Sequence, residues 1–258
     1  MLAHASRPSD PRVTRGVREE ERQKKGGVPI VVGNAPAASE LCVYCGVGTA
    51  ETDDHVPPKC LFPRPRPSDL ITVPSCRKCN QEAGRDEEYF LASIMFTQAG
   101  SSPAGRALWQ QKLRRTYAKN LGLRYRIASS LQRVNLVTPA GLFLGRHFAQ
   151  SPDFVRLEKV VVKIVKGLYY AEHAATLAPH TTVKALFLWP GQQSDVAQKY
   201  GHMLRDGRRT WPGIFGYRAN RVKDYPQGSM WELRFYDFAV FWALSHDDAV
   251  VNAAILEE

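Results

Sequence analysis

The residues of this chain that could do chemistry are concentrated between Cys42 and Asn80. Four are cysteines in two matched pairs, Cys42-x2-Cys45 and Cys76-x2-Cys79, with thirty residues between the pairs. A CxxC knuckle sets two sulfurs on one ion, and two knuckles close a tetrahedral structural zinc site with no open position. Four unrelated buried cysteines, or a single redox-active pair, would not require the second matched pair. Between the knuckles lies TDDHVPPK. His55 can accept a proton near neutral pH, as a general base must. Asp54 offers a hard anionic oxygen, and Asn80, directly after Cys79, a neutral amide oxygen, both suited to Mg2+ or another divalent cation. Together these are the requirements of phosphodiester hydrolysis: an activated water, and charge neutralised on the phosphate and the leaving oxygen.

The segment from Cys42 to about Phe90 resembles the HNH endonucleases, the ββα-metal nuclease family. The resemblance rests on the CxxC before the first strand, the Asp-His pair on that strand, and the CxxC-Asn that opens the following helix. It covers about one fifth of the chain. It implies that His55 activates water, and that Asp54 and Asn80 bind a catalytic divalent ion distinct from the structural zinc. One feature departs from the family pattern. The family's middle Asn orients the catalytic imidazole, and this chain has no Asn between Cys45 and Cys79. Asp69, in PSDLITVP, is the nearest substitute, so the site reads H–D–N rather than H–N–H. The resemblance implies a nuclease acting on nucleic acid, with DNA the favoured substrate. A zinc-ribbon module that binds nucleic acid without cutting it is the alternative.

Other residues draw plainer readings. Cys60 is a small packed residue, and Asp53 a solvated neighbour or else a second metal ligand. Lys59 and Arg64, in the proline-rich loop, are phosphate contacts or simply exposed cations. Asp86, Glu87 and Glu88 form the solvated side of a helix. His147, His173, His180, His202 and His246 show no ligand spacing.

Charge points the same way as the motif. The 258 residues carry 35 Lys and Arg against 25 Asp and Glu, a net charge of +10. That balance suits a polyanionic partner, because each neutralised phosphate releases condensed counterions. From Tyr89 to Pro152 there is no acidic residue, while Arg106, Lys112, Arg114, Arg115, Lys119, Arg124, Arg126, Arg133 and Arg146 all fall there. Solvated faces ordinarily mix signs. No stretch approaches the length of a membrane span, and the first residues show no apolar signal core, so a cytoplasmic location is expected.

The elements that must position these residues follow from pattern. Residues 1 to about 40 read as a disordered basic segment, in which residues 18–25 form a solvated helix or a basic arm. Residues 41–100 form the nuclease-like module: extended stretches near Thr52–Val56 and Leu70–Val73, a stiff loop PPKCLFPRPRPSD between them, and a helix over 77–97. Residues 101–258 read as an α+β domain with a largely antiparallel sheet. It opens with a helix over 104–121, whose apolar stripe is Trp109, Leu113, Tyr117 and Leu121 and whose cationic face holds Lys112, Arg115 and Lys119. Strands are expected across 124–149, folding about Pro139-Ala140-Gly141. A helix over 152–170, a strand over 182–189, a helix over 194–205 and three strands, GIFGYRA, SMWELRF and FAVFWAL, complete the domain. That domain could recognise a target, a partner or, as a homodimer, a second copy of itself.

Overall fold

Strand β1 (Thr52–Val56) and strand β2 (Ile71–Ser75) pair antiparallel, with Thr52 opposite Ser75 and Val56 opposite Ile71. The computed structural model describes residues 40–188, 190–223, 225 and 227–247. The basic segment expected over residues 1 to about 40 lies, apart from Glu40, outside them. Side chains alternate across a strand, so Thr52, Asp54 and Val56 share the inner face of β1, and Asp53 and His55 the outer. Burial follows the alternation: Asp54 and Val56 are buried, whereas Asp53 is exposed.

Two helices follow where one was expected. Helix α1 (Arg77–Glu82) stops at Ala83, and α2 (Gly84–Ile94) restarts at once. Gly84 is a poor helix former. Asp86 and Glu87 in the first turn of α2 favour a new N-terminus there through the helix dipole. The expected helix over 104–121 is likewise divided. Helix α3 (Pro103–Leu108) and α4 (Arg114–Lys119) are joined by a π-helical turn at Trp109–Leu113. The extra residue in that turn shifts the helical phase. Leu113 is consequently buried, while Trp109 and Leu121 are exposed and fall outside the predicted apolar stripe. Residues 121–129 are helix α5 (Leu121–Ser129) rather than strand, capped by Asn120 Oδ1, which accepts from Leu123 N at 2.9 Å.

The rest follows the sequence pattern, except that the helix expected over 194–205 spans Pro190–Tyr200 and Arg205 opens a short strand. Strands β3 (Leu131–Val137) and β4 (Phe143–Gln150) form a hairpin. Helix α6 (Phe154–His173) is twenty residues long, with Leu157, Val161, Ile164, Val165 and Leu168 on its buried face. Strand β5 (Thr181–Leu186), helix α7 (Pro190–Tyr200) and strands β6 (Arg205–Asp206), β7 (Phe215–Arg221), β8 (Ser229–Phe235) and β9 (Ala239–Asp247) complete the described chain. The last sheet is antiparallel, in the order β5-β9-β8-β7-β6. No helix of the described chain is long and apolar enough to cross a membrane.

The expected boundary at residue 100 is not a packing boundary. Phe62 meets Trp211 edge-on at 5.2 Å, Phe90 packs on Phe235 and Phe241, and Tyr236 Oη donates to Leu61 O at 2.7 Å. The first module has too few apolar residues to close a core alone and borrows the inner face of the later sheet.

Helix α6 crosses the back of β1 at Gly167. A Cβ added there would lie 2.4 Å from Val56 Cγ2. Alanine is ordinarily the better helix former by about 1 kcal/mol, so Gly167→Ala separates the two effects by sign. It should lower stability by about 1–3 kcal/mol through overpacking, measured by urea unfolding; a stabilised variant would refute the close-approach account.

Candidate metal centre and basic groove

The first knuckle turns at Gly46, whose φ of +69° suits a residue without a side chain. Gly46 N donates to Cys42 O at 2.8 Å, and Gly48 N donates to Cys45 Sγ at 3.4 Å. A Cβ on Gly48 would come within 3.3 Å of Cys76 Sγ. The second knuckle opens α1, where Cys76 Sγ accepts from Cys79 N at 3.5 Å. The four Sγ atoms of Cys42, Cys45, Cys76 and Cys79 lie within 4.8 Å of one another. Zn–S bonds of about 2.3 Å in a tetrahedron place sulfurs roughly 3.8 Å apart, so the cluster has dimensions that can hold one metal ion. Burial raises the Cys45 thiol, but backbone N–H groups of Val47 and Gly48 outweigh it and draw the pKa down to about 6. Cys79 moves the other way, raised by burial and by the neighbouring sulfurs. Among the described residues the sulfur cluster is the only group of His, Cys, Asp or Glu side chains so arranged.

Asp54 is committed elsewhere. Its Oδ1 accepts from His55 N at 2.9 Å. Its Oδ2 accepts from Tyr44 Oη at 3.0 Å and pairs with Lys163 Nζ at 2.6 Å. Lys163 also pairs with Glu87 Oε1 at 2.5 Å. One turn separates Lys163 from Gly167 on α6, and two residues separate Asp54 from Val56 on β1, so the close contact at Gly167 brings the pair together. Burial alone would push the Lys163 ammonium down, but Glu87 and Asp54 more than reverse that and hold it above its ordinary value. Burial and the Asp54 carboxylate push the Tyr44 phenol far up, so it remains a donor. The acidic residues of α2, expected to be solvated, all have partners: Asp86 with Arg156, Glu87 with Lys163, and Glu88 with the Asn120 amide. A sequence signal for the Lys163 pair existed, since Lys163 falls within the apolar stripe of α6.

The H–D–N set is therefore only partly assembled. Asn80 Nδ2 donates to Thr52 Oγ1 at 3.1 Å, which brings it to the Asp54 side of β1. His55 faces the other way. Asp69 does not orient the imidazole; its Oδ1 accepts from Trp211 Nε1 at 3.2 Å and its carbonyl accepts from Arg209 Nη1 at 2.7 Å. The catalytic cation implied by the resemblance does not fit this arrangement, because both oxygens of Asp54 are engaged and an internal ammonium already supplies the counter-charge.

His55 is half-buried, and no side chain among the described residues hydrogen-bonds its imidazole. Burial lowers its pKa below 6.5, as do the cations Lys59 and Arg66, against smaller opposing effects of Asp54 and Asp53. Arg66 Nε donates to Lys59 O at 3.0 Å. It also lines a groove of about 850 Å³ with Arg64, Lys112, Arg115 and Lys119, where Glu88 is the one acidic residue. The cationic face predicted for residues 112–119 and the loop residue Arg64 thus meet in one place. Gln111 joins them, its Oε1 accepting from Arg64 N at 2.7 Å and its Nε2 donating to Arg64 O at 3.0 Å. Cys60 packs under the loop, where burial pushes its thiol up to about 12.

Comparison with models of protein families, with curated proteins and with solved structures gives no match.

Two outcomes follow. Cys76→Ser should abolish metal binding by the purified chain, measured as metal per protein by atomic emission, and lower its melting temperature. Lys163→Ala should cost about 3–5 kcal/mol in urea unfolding, because it strands two carboxylates on a buried face; a loss under 1 kcal/mol would mean the triad is better solvated than its geometry indicates.

Proposed function

We propose that this protein is a zinc-stapled nuclease of the HNH type that hydrolyses phosphodiester bonds in nucleic acid, DNA being the first substrate to test. One observation supports this most. A half-exposed, neutral imidazole stands beside Lys59 and Arg66, and Arg66 continues into a groove lined by five cations and a single carboxylate. A polyanion lying in the groove would run toward His55.

In this reading the four-cysteine site holds zinc and acts as architecture. His55 takes a proton from water as the water oxygen forms a bond to phosphorus. The P–O bond to the leaving oxygen breaks, and that oxygen takes a proton from solvent. Lys59 and Arg66 neutralise charge on the non-bridging oxygens. Asp54 orients β1 through Tyr44 and Lys163. A divalent ion at Asp54 and Asn80, the metal-dependent form of the reading, requires Lys163 to give way.

The capture of Asp54 by Lys163 favours a second reading, a nucleic-acid-binding zinc module that does not cut. Plasmid cleavage by the purified chain with Mg2+ or Mn2+ separates the two. His55→Ala should lower the rate about 10²–10⁴-fold, the usual worth of a general base. The wild-type rate should rise with pH as the imidazole loses its proton. The midpoint of that rise should lie below the ordinary histidine pKa, because that pKa is lowered. An undiminished rate in His55→Ala would sink the catalytic assignment. Salt-sensitive binding without any cleavage would establish the second reading.

A further inference from the structure

The β3–β4 hairpin stands away from the core. Every residue from Gln132 to Val137 and from Arg146 to Ala149 is exposed. Its base is closed by Ser151 N donating to Ser130 O at 2.8 Å. Its turn is held by Gly141 N donating to Thr138 O at 2.9 Å, with Gly141 at a φ of +84°. Strand β3 has seven residues, and at about 3.4 Å each a ribbon of that length reaches roughly 24 Å.

The two faces of the ribbon differ. Arg133 lies opposite Phe148 and Asn135 opposite Arg146, so alternation gathers Arg133, Asn135 and Arg146 on one face. Arg133 lies 6.0 Å from the centre of the Phe148 ring. The other face carries Val134 and Leu136. The tip is apolar, with Pro139 at the turn and Leu142, Phe143 and Leu144 more than half exposed. Nowhere from Tyr89 to Pro152 is there a carboxylate to neutralise these arginines. The neighbouring helix α5 adds Arg124 and Arg126, both exposed.

We propose that the β3–β4 hairpin is a second nucleic-acid contact, a ribbon that lays Arg133, Asn135 and Arg146 into a groove of duplex DNA and sets its apolar tip against the base steps. Two-stranded ribbons enter either groove of duplex DNA. Arginine neutralises the phosphates that flank a groove, asparagine is among the side chains that read its base edges, and proline and leucine are wedge residues that unstack a step and bend the duplex. Charge decides between this occupant and a second copy of the chain. A second copy would bring a like-charged ribbon against this one, whereas DNA supplies the missing anions. The inference rests on the nucleic-acid reading of the groove, but uses a different surface.

The test is fluorescence anisotropy of the full chain with an end-labelled 30-base-pair duplex across a salt series. Wild type is compared with Arg133→Ala/Arg146→Ala, Pro139→Ala/Leu142→Ala and the groove variant Lys112→Ala/Arg115→Ala. Far-UV circular dichroism and melting confirm that each variant is folded. The arginine ribbon variant should bind about tenfold or more weakly and flatten the slope of log K against log salt by about two, as expected for two lost phosphate contacts. The tip variant should reduce duplex bending, read by energy transfer between end labels. If the groove variant loses affinity while the ribbon variants keep affinity, salt slope and bending, the ribbon proposal fails and the nucleic-acid reading stands. If wild type binds no duplex, both fail. A ribbon variant that changes only sedimentation, from dimer to monomer, would assign the hairpin to a second copy and overturn the proposal.

Discussion

Helix α6 can lie against strand β1 only because Gly167 has no side chain, and the placement of every polar group around the centre depends on that contact. Once the two backbones meet there, the repeat of the helix and the repeat of the strand set Lys163 beside Asp54. Glu87 reaches the same ammonium from α2. A buried charge of this kind is tolerable only when paired, so the lysine and the two carboxylates fix α2, α6 and β1 together. The same contact determines the fate of the catalytic-looking pair in the sequence. Neighbours on a strand face opposite ways, so turning Asp54 inward necessarily turns His55 outward.

The sulfur cluster acts at the other end of the same sheet. It gathers the turn ahead of β1, the end of β2 and the start of α1, which one metal ion held by the four sulfurs would tie together. A two-stranded ladder is marginal in water. Here it is clamped by sulfur at one end and covered by α6 along its inner face.

Features encoded over short distances were legible in the sequence. The two knuckles, the period-two strands and the periodic face of α6 each depend on neighbours a few residues away, and all appear where pattern placed them. The cations of the α4 region and the proline-rich loop were also identifiable, since their charge has no local acid to cancel it. What was not legible depends on distance or on small departures from ideal geometry. Lys163 meets Asp54 across more than a hundred residues, and Asp69 is taken by Trp211 and Arg209 from the far sheet. No local pattern announces such partners, and a carboxylate next to a histidine looks free until the fold closes over it. The π turn at Trp109–Leu113 and the break at Asn120 interrupt a helix that reads as regular, so Leu113 and Tyr117 keep to the apolar side while Trp109 and Leu121 leave it. Helix α5 lacks a strong apolar period, so its sequence did not distinguish helix from strand.

Gln111 has a consequence out of proportion to its size. One uncharged amide, bonded twice to the backbone of Arg64, fastens the proline-stiffened loop to the helical wall opposite. The loop carries Arg64 and the imidazole's two cationic neighbours, and the wall carries Lys112, Arg115 and Lys119. Fastening them sets the span between the cations of the helical wall and the loop that leads back to His55. The spacing between those charges and the imidazole is therefore set by a neutral side chain.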